Sequence, residues 1–89
     1  MEIYMTSSLM ADTQMDATFA REVIYAVLKY REDDWGDLTE DDIYMNAMAK
    51  KYGGRILAAY NTSRGRIYII TDDTKAKKPT TTVLYASEY

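Results

Sequence analysis

Apolar residues recur at helical spacing in the first half of the chain and at strand spacing in the second half. One stretch has an apolar residue at every fourth position: Met15, Phe19, Val23 and Val27. This spacing predicts a helix from about residue 16 to residue 31. The residues before it, Thr13 to Asp16, resemble a capping box, in which a polar cap is followed by an acid three residues later.

A second helix is predicted from about residue 40 to residue 52. Thr39 is a typical N-cap, and the three acids after it, Glu40 to Asp42, suit the positive end of a helix dipole. Apolar positions then continue at spacings of three and four. Gly53 and Gly54 end the helix, because glycine readily takes the positive φ needed there.

From residue 55 onward the pattern is typical of strands. Residues 55–60, 66–71 and 80–85 are rich in β-branched and aromatic side chains. The residues between the first two runs, 61–65, are turn formers and predict a hairpin. Residues 72–79 form a loop with three lysines.

These elements predict a single α+β domain over residues 1–89, with two helices packed on a three-stranded antiparallel meander in the order ααβββ. Residues 1–12 show no clear period and are compatible with a short N-terminal strand or an ordered arm. In the middle strand, Ile67 and Ile69 point away from Tyr68, so both faces are apolar. A homodimer through the sheet is one way to bury both faces.

Composition narrows the possible chemistry. The 89 residues include no Cys and no His, which excludes disulfides, Cys-containing zinc sites and Ser–His or Cys–His catalysis. The acids after Gly36 do not have EF-hand spacing, so no metal site or cofactor is expected. The sequence predicts no enzyme, no membrane span and no signal peptide, and the expected location is the host cytoplasm.

Charge is distributed unevenly along the chain. The formal net charge is −3, yet residues 1–54 hold six more acids than bases and residues 55–89 hold three more bases than acids. Seven acids and no base lie between Glu32 and Asp42. This run is either a solvated connection or a surface for a basic partner. Trp35, inside the run, either fills the core or is an exposed anchor.

Tyrosine accounts for nine of the eleven aromatic residues, and it is enriched at protein interfaces. The abundance of tyrosine and the acidic run together predict a surface that binds a protein partner. The candidate residues are Glu32, Asp33, Asp34, Trp35, Asp37, Glu40, Asp41, Tyr44 and Tyr68.

Two other classes of function remain open. The first is a nucleic-acid-binding accessory factor, whose phosphate contacts would come from Arg64, Arg66, Lys75, Lys77 and Lys78. The acidic balance of the chain makes direct contact with nucleic acid the weaker hypothesis. The second is a small-ligand-binding dimer, with the ligand in a cleft between two copies.

A set of ordered motifs runs from Asp34 to Tyr89: Asp34–Leu38, Asp41-Asp42 with Asn46, Gly53–Tyr60, Ile69–Asp72, Thr81–Leu84 and Glu88-Tyr89. Together they resemble a family of small uncharacterised proteins of plasmids, prophages and integrative elements, the "plasmid-related proteins". The resemblance implies a mobile-element setting and no particular activity. This chain departs from the family in having Tyr30 for a histidine, Asp33 for a glycine and a longer link over residues 73–79.

Small acidic proteins from mobile elements often act by occupying a surface of a host protein. An acidic run can mimic nucleic-acid phosphates and associate rapidly with a basic groove. The setting and the charge therefore predict a non-enzymatic protein, similar in role to anti-CRISPR proteins. It would bind and inhibit a host defence protein or ribonucleoprotein complex.

Overall fold

The computed structural model describes residues 2–89, which form three helices, a four-stranded sheet and a closing 3₁₀ turn. In chain order these are β1 (Glu2–Met5), α1 (Ser7–Met15), α2 (Ala17–Arg31), α3 (Glu40–Tyr52), β2 (Ile56–Thr62), β3 (Gly65–Thr71), β4 (Thr80–Tyr85) and the 3₁₀ turn Ala86–Glu88. The α+β class is confirmed.

The sheet is mixed, with strand order β1-β4-β3-β2. Strands β2, β3 and β4 pair antiparallel, whereas β1 pairs parallel with β4 and places Ile3 beside Thr81 and Met5 beside Val83. The predicted arrangement of two helices on a three-stranded meander is therefore wrong in two respects. The N-terminal residues supply a fourth strand, one of the alternatives left open for them, and its parallel pairing makes the sheet mixed. In addition, α1 is a third helix.

Helices α1 and α2 cover one face of the sheet. Asp16 is the N-cap of helix α2, and its side chain accepts a hydrogen bond from the Phe19 amide at 3.0 Å. Spacings of four and three then place Phe19, Val23, Ala26 and Tyr30 on its buried face. Three other apolar residues of the helix, Ile24, Tyr25 and Leu28, are exposed. The core of helix and sheet residues includes Leu9, Phe19, Val23, Ala26, Ile56, Ala58, Ile67, Ile69 and Val83, all buried.

The sequence of helix α1 shows neither a periodic apolar face nor a clear N-cap. Leu9 is its one buried residue, and Met10 and Met15 are exposed. No side chain caps its first turn. Thr13, interpreted above as part of a capping box, lies inside α1 and donates to the Met10 carbonyl. Tertiary packing of Leu9 stabilises this helix more than any local pattern does.

The opposite face of the sheet is only half covered. Leu57, Tyr68, Ile70 and Leu84 point to this side and are partly exposed. The Tyr89 ring packs edge-on against Tyr68, with ring centroids 5.7 Å apart. Helix α3 lies beside this face, along the edge formed by β2. The homodimer through the sheet stays a prediction.

Helix α3 protects that edge through one side chain. The Asn46 amide nitrogen donates to the Leu57 carbonyl at 2.8 Å, and the Leu57 amide donates to the Asn46 carbonyl oxygen at 3.2 Å. Asn46 thus satisfies both outward-pointing backbone groups of one residue, as a neighbouring strand would. Helix α3 is thereby fixed to the sheet.

Candidate functional site

Residues 32–42, which we call the acidic segment, connect α2 to α3 and form the first turn of α3. Their backbone continues the sheet past β2: the Ala59 amide donates to the Trp35 carbonyl at 3.0 Å, and the Asp37 amide donates to the Ala59 carbonyl at 2.8 Å. Gly36 lies between them at φ 79°. The segment is therefore bound to the sheet edge by regular backbone pairing.

Side chains of the sheet also donate hydrogen bonds to the backbone of the acidic segment. The Tyr60 hydroxyl donates to the Asp34 carbonyl at 2.7 Å, and the Arg66 guanidinium donates to the Asp37 carbonyl at 2.9 Å. Trp35 is 8% exposed and belongs to the core. The structure thus places Trp35 inside the molecule, as one of the two interpretations predicts, and not on the surface as an anchor.

Two of the seven carboxylates are paired within the molecule. Asp33 forms an ion pair with Lys50, and Asp37 forms one with Arg66 at 2.8 Å. The hydrogen bond from Arg66 holds the pKa of Asp37 below its usual range. These two acids stabilise the position of the segment, so they are less free to bind a partner.

The Asp34 carboxylate accepts a hydrogen bond from the Gly36 amide at 3.2 Å. The remaining four carboxylates of the segment, those of Glu32, Glu40, Asp41 and Asp42, make no hydrogen bond or ion pair within residues 2–89. Every acid of the described chain outside the segment has such a contact: Glu2, Asp12, Asp16, Glu22, Asp72, Asp73 and Glu88. The carboxylates of residues 2–89 that have neither a hydrogen bond nor an ion pair therefore all lie in the acidic segment.

Apolar side chains lie next to this charge on α3. Ile43, Tyr44, Met45 and Tyr52 are all exposed, Tyr44 by 61%. Tyr68, the other tyrosine of the predicted surface, is not on α3. It lines a depression of about 480 Å³ on the half-covered sheet face together with Asp42 and Arg66. The structure thus brings Tyr44 and the acids together and leaves Tyr68 at their margin.

The five basic residues proposed for nucleic-acid contact do not form one patch. Arg64 and Arg66 lie at the β2–β3 hairpin, and their guanidinium groups pair with Asp16 and Asp37. The three lysines lie in residues 72–79, which leave the opposite end of β3. Lys75, Lys77 and Lys78 form no ion pair within residues 2–89.

A second depression, of about 380 Å³, lies where the C-terminal ends of α2 and α3 meet the end of β3. Tyr30, Trp35 and Thr71 are among its lining residues. The Tyr30 and Thr71 hydroxyls are hydrogen-bonded to each other and buried. In the sequence, Tyr30 is distinguished only as a departure from a family pattern, and Thr71 carries no signal because its partner lies 41 residues away.

Residues 2–89 contain no cluster of three or more potential metal ligands. No helix in that range is long and apolar enough to cross a membrane. Comparison of the chain with protein-family models, with curated proteins and with solved structures finds no match.

Proposed function

We propose that this chain is a non-enzymatic binding protein of a mobile genetic element. Its acidic segment occupies a basic, nucleic-acid-binding groove on a host defence protein or ribonucleoprotein complex and inhibits it. The mobile-element setting rests on the resemblance described above. The binding mode rests on the geometry of the acidic segment, and the observation that carries it is the concentration of unpaired carboxylates there.

Rigidity of the segment supports this mode of binding. Backbone pairing with Ala59, the Tyr60 and Arg66 hydrogen bonds and the buried Trp35 ring hold the segment in one conformation. A surface that is ordered before binding loses little conformational entropy in the complex. The free carboxylates can then steer association with a positively charged groove.

The exposed side chains of α3 support a protein partner over a free cation. Tyr44 and Met45 lie within one helical turn of the unpaired carboxylates of Asp41 and Asp42. Aromatic residues and methionine are enriched in the centres of protein interfaces, and charged groups surround them at the rim. Helix α3 therefore offers both the apolar anchor and the charged rim of such an interface.

The test is affinity capture from a host lysate treated with nuclease, with wild-type protein and two variants. In the first variant Glu40→Gln and Asp41→Asn remove two charges from the acidic segment. In the second, Glu2→Gln and Glu22→Gln remove two charges elsewhere. We expect a stoichiometric, nuclease-resistant host protein whose affinity falls about tenfold with the first variant, which is about 1.4 kcal/mol. The second variant should bind within about twofold of wild type.

Equal binding by both variants, or no salt dependence of the captured complex, contradicts the proposal. Recovery of partners that disappears with nuclease favours the alternative, in which the unpaired Lys75, Lys77 and Lys78 contact nucleic acid directly. A gel-shift assay at low salt with Lys75→Gln, Lys77→Gln and Lys78→Gln combined distinguishes that case, because it should abolish a shift that depends on these lysines.

A further inference from the structure

The second depression, with a volume of about 380 Å³, is lined by several helices, strands and loops at once. Its lining comes from the last turns of α2 and α3, the start of β2, the end of β3 and the loop over residues 72–79. Its volume lies within the range of small-molecule sites. We call it the Trp35 cleft.

Apolar walls and a polar floor characterise the Trp35 cleft. Trp35, Ile56 and Pro79 provide apolar surface, and Tyr30 and Thr71 provide hydroxyl groups. The two hydroxyls are hydrogen-bonded to each other, and Thr71 is bonded further to Thr81 at 2.8 Å. Apolar walls with a few convergent polar groups are what small-molecule sites usually contain.

The Trp35 indole supplies a donor that is open to solvent. Its N–H makes no hydrogen bond to any group in residues 2–89, and every buried side-chain nitrogen or oxygen in that range has a partner, so this N–H is not buried. An acceptor on a molecule bound in the Trp35 cleft would take the place of solvent at this N–H.

The rim of the Trp35 cleft favours an anion. Arg31 and Lys50 line it with a single acid, Asp33. Lys50 is paired with Asp33, whereas Arg31 has no ion-pair partner within residues 2–89. Lys77 and Lys78 lie with one acid, Glu2, in the adjoining depression, which shares Pro79 with the cleft. Positive charge therefore remains uncompensated at the mouth.

We infer that the Trp35 cleft binds a small planar aromatic molecule carrying one anionic group, a phosphate or a carboxylate. The ring lies against Trp35 and Ile56, and the anion faces Arg31. This site is separate from the unpaired carboxylates of the acidic segment and does not depend on the partner proposed for them.

The experiment uses the single tryptophan of the chain, because its indole N–H gives one resolved signal in a ¹H–¹⁵N correlation spectrum. Phenyl phosphate and benzoate, which share one ring, are the two probes, and phenol and inorganic phosphate are the controls. We expect one probe to move the Trp35 indole signal saturably at concentrations up to about 5 mM, which covers weak binding. The active probe shows whether the anion is a phosphate or a carboxylate.

Two variants make the assignment specific. Arg31→Gln should weaken probe binding at least fivefold, whereas Arg21→Gln, an exposed position on the same helix, should change it less than twofold. Both are surface substitutions, and the remaining signals of the spectrum report whether each variant is folded. No saturable shift of the indole signal with either probe, or equal binding by the two variants, overturns the inference.

Discussion

Two connections of eight residues each carry opposite charge and are held in place in different ways. Residues 32–39, in the acidic segment, join α2 to α3, and residues 72–79, which we call the lysine loop, join β3 to β4. The acidic connection pairs with the edge of the sheet and buries Trp35 in the core. The lysine loop buries no large apolar side chain.

Hydrogen bonds alone fix the lysine loop. Asp72 accepts from the Thr80 amide at 2.9 Å, and Asp73 accepts from the Gly54 amide at 3.2 Å. Thr74 donates through its amide to the Gly54 carbonyl at 3.0 Å. The acidic connection thus presents its charges on a segment fixed by a buried side chain, and the lysine loop presents its charges on a segment held by hydrogen bonds. The first kind is the better template for a rigid partner, because less order has to be gained on binding.

The largest difference between the two connections should appear when Trp35 is truncated. Trp35→Ala removes a buried ring of the core cluster and leaves a cavity there, so we expect a loss of about 3–5 kcal/mol in the free energy of unfolding. Lys77→Ala in the lysine loop should cost less than about 0.5 kcal/mol. Urea denaturation of both variants measures the two values. A similar, small effect of both substitutions would show that the acidic segment is not anchored by its ring.

The close approach at Gly36 gives the next largest effect. A Cβ at this position would lie 2.0 Å from the Ala59 carbonyl oxygen, and φ is 79°. We expect Gly36→Ala to cost about 2–4 kcal/mol. Gly65→Ala is the matched control, since φ there is also positive at 105° but nothing lies within 4 Å of the added carbon. Its cost should be about 1 kcal/mol. Equal melting temperatures of the two variants would rule out the tight pairing with β2.

Asn46 fixes the end of the acidic segment by holding α3 to the sheet. Asn46→Ala leaves the Leu57 amide and carbonyl without partners, so the free energy of unfolding should fall by about 1–3 kcal/mol. Asn61→Ala, at an exposed position of the same edge strand, removes only surface hydrogen bonds with Asp37 and Arg66, so it should cost less than about 1 kcal/mol. Hydrogen exchange at the Leu57 amide should accelerate in the Asn46 variant alone. Unchanged exchange there would contradict the role given to Asn46.

Titration with acid distinguishes one carboxyl group in each connection, because a different kind of contact lowers the pKa of each group. The pKa of Asp37 is lowered chiefly by Arg66, and that of Asp72 is lowered chiefly by the Thr80 amide. A carboxyl group whose pKa is lower in the folded protein than in the unfolded chain stabilises the fold at pH values above its pKa in the unfolded chain. This stabilisation is lost as the pH falls through its pKa in the folded protein. Stability should therefore decrease below about pH 4.

Salt should affect these two carboxylates differently. An ion pair at the surface is screened by salt, whereas a hydrogen bond from a backbone amide is much less so. Carbon-13 titration at low and high salt should show the pKa of Asp37 rising with salt more than that of Asp72. A larger shift at Asp72 would contradict this account of the two sites.

The smallest effect is expected for the lysines themselves. Replacing Lys75, Lys77 and Lys78 together with glutamine should change the free energy of unfolding by less than about 0.5 kcal/mol, because none of them forms an ion pair within residues 2–89. Urea denaturation beside wild type measures it. A loss above about 1 kcal/mol would mean that these side chains support the fold.

Elements with strong local signals could be predicted from sequence. Helix α3 begins at Thr39 and ends before Gly53, as its caps indicate, and β3 follows its β-branched run. Helix α1 could not be predicted, because Leu9 alone of its residues is buried and no periodic face results. The parallel pairing of β1 with β4 joins the two ends of the chain, and no local pattern encodes it.

The candidate site was predictable only in part. The run of acids is visible in the sequence, but its unpaired members are not, since Lys50 and Arg66 reach Asp33 and Asp37 only in the folded chain. Burial of Trp35 depends on packing as well. The Trp35 cleft brings together Tyr30 and Thr71, which lie 41 residues apart in the chain. Their contact could therefore not be predicted from the spacing of residues in the sequence.

Competition on an isolated partner tests the central claim most directly. Fluorescence anisotropy of labelled nucleic acid bound to the captured host protein is followed as this chain is added. We expect stoichiometric displacement by wild type and by the variant carrying Glu2→Gln and Glu22→Gln. The variant carrying Glu40→Gln and Asp41→Asn should require about tenfold more protein. A stable ternary complex, in which nucleic acid and this chain bind the host protein together, would contradict mimicry by the acidic segment.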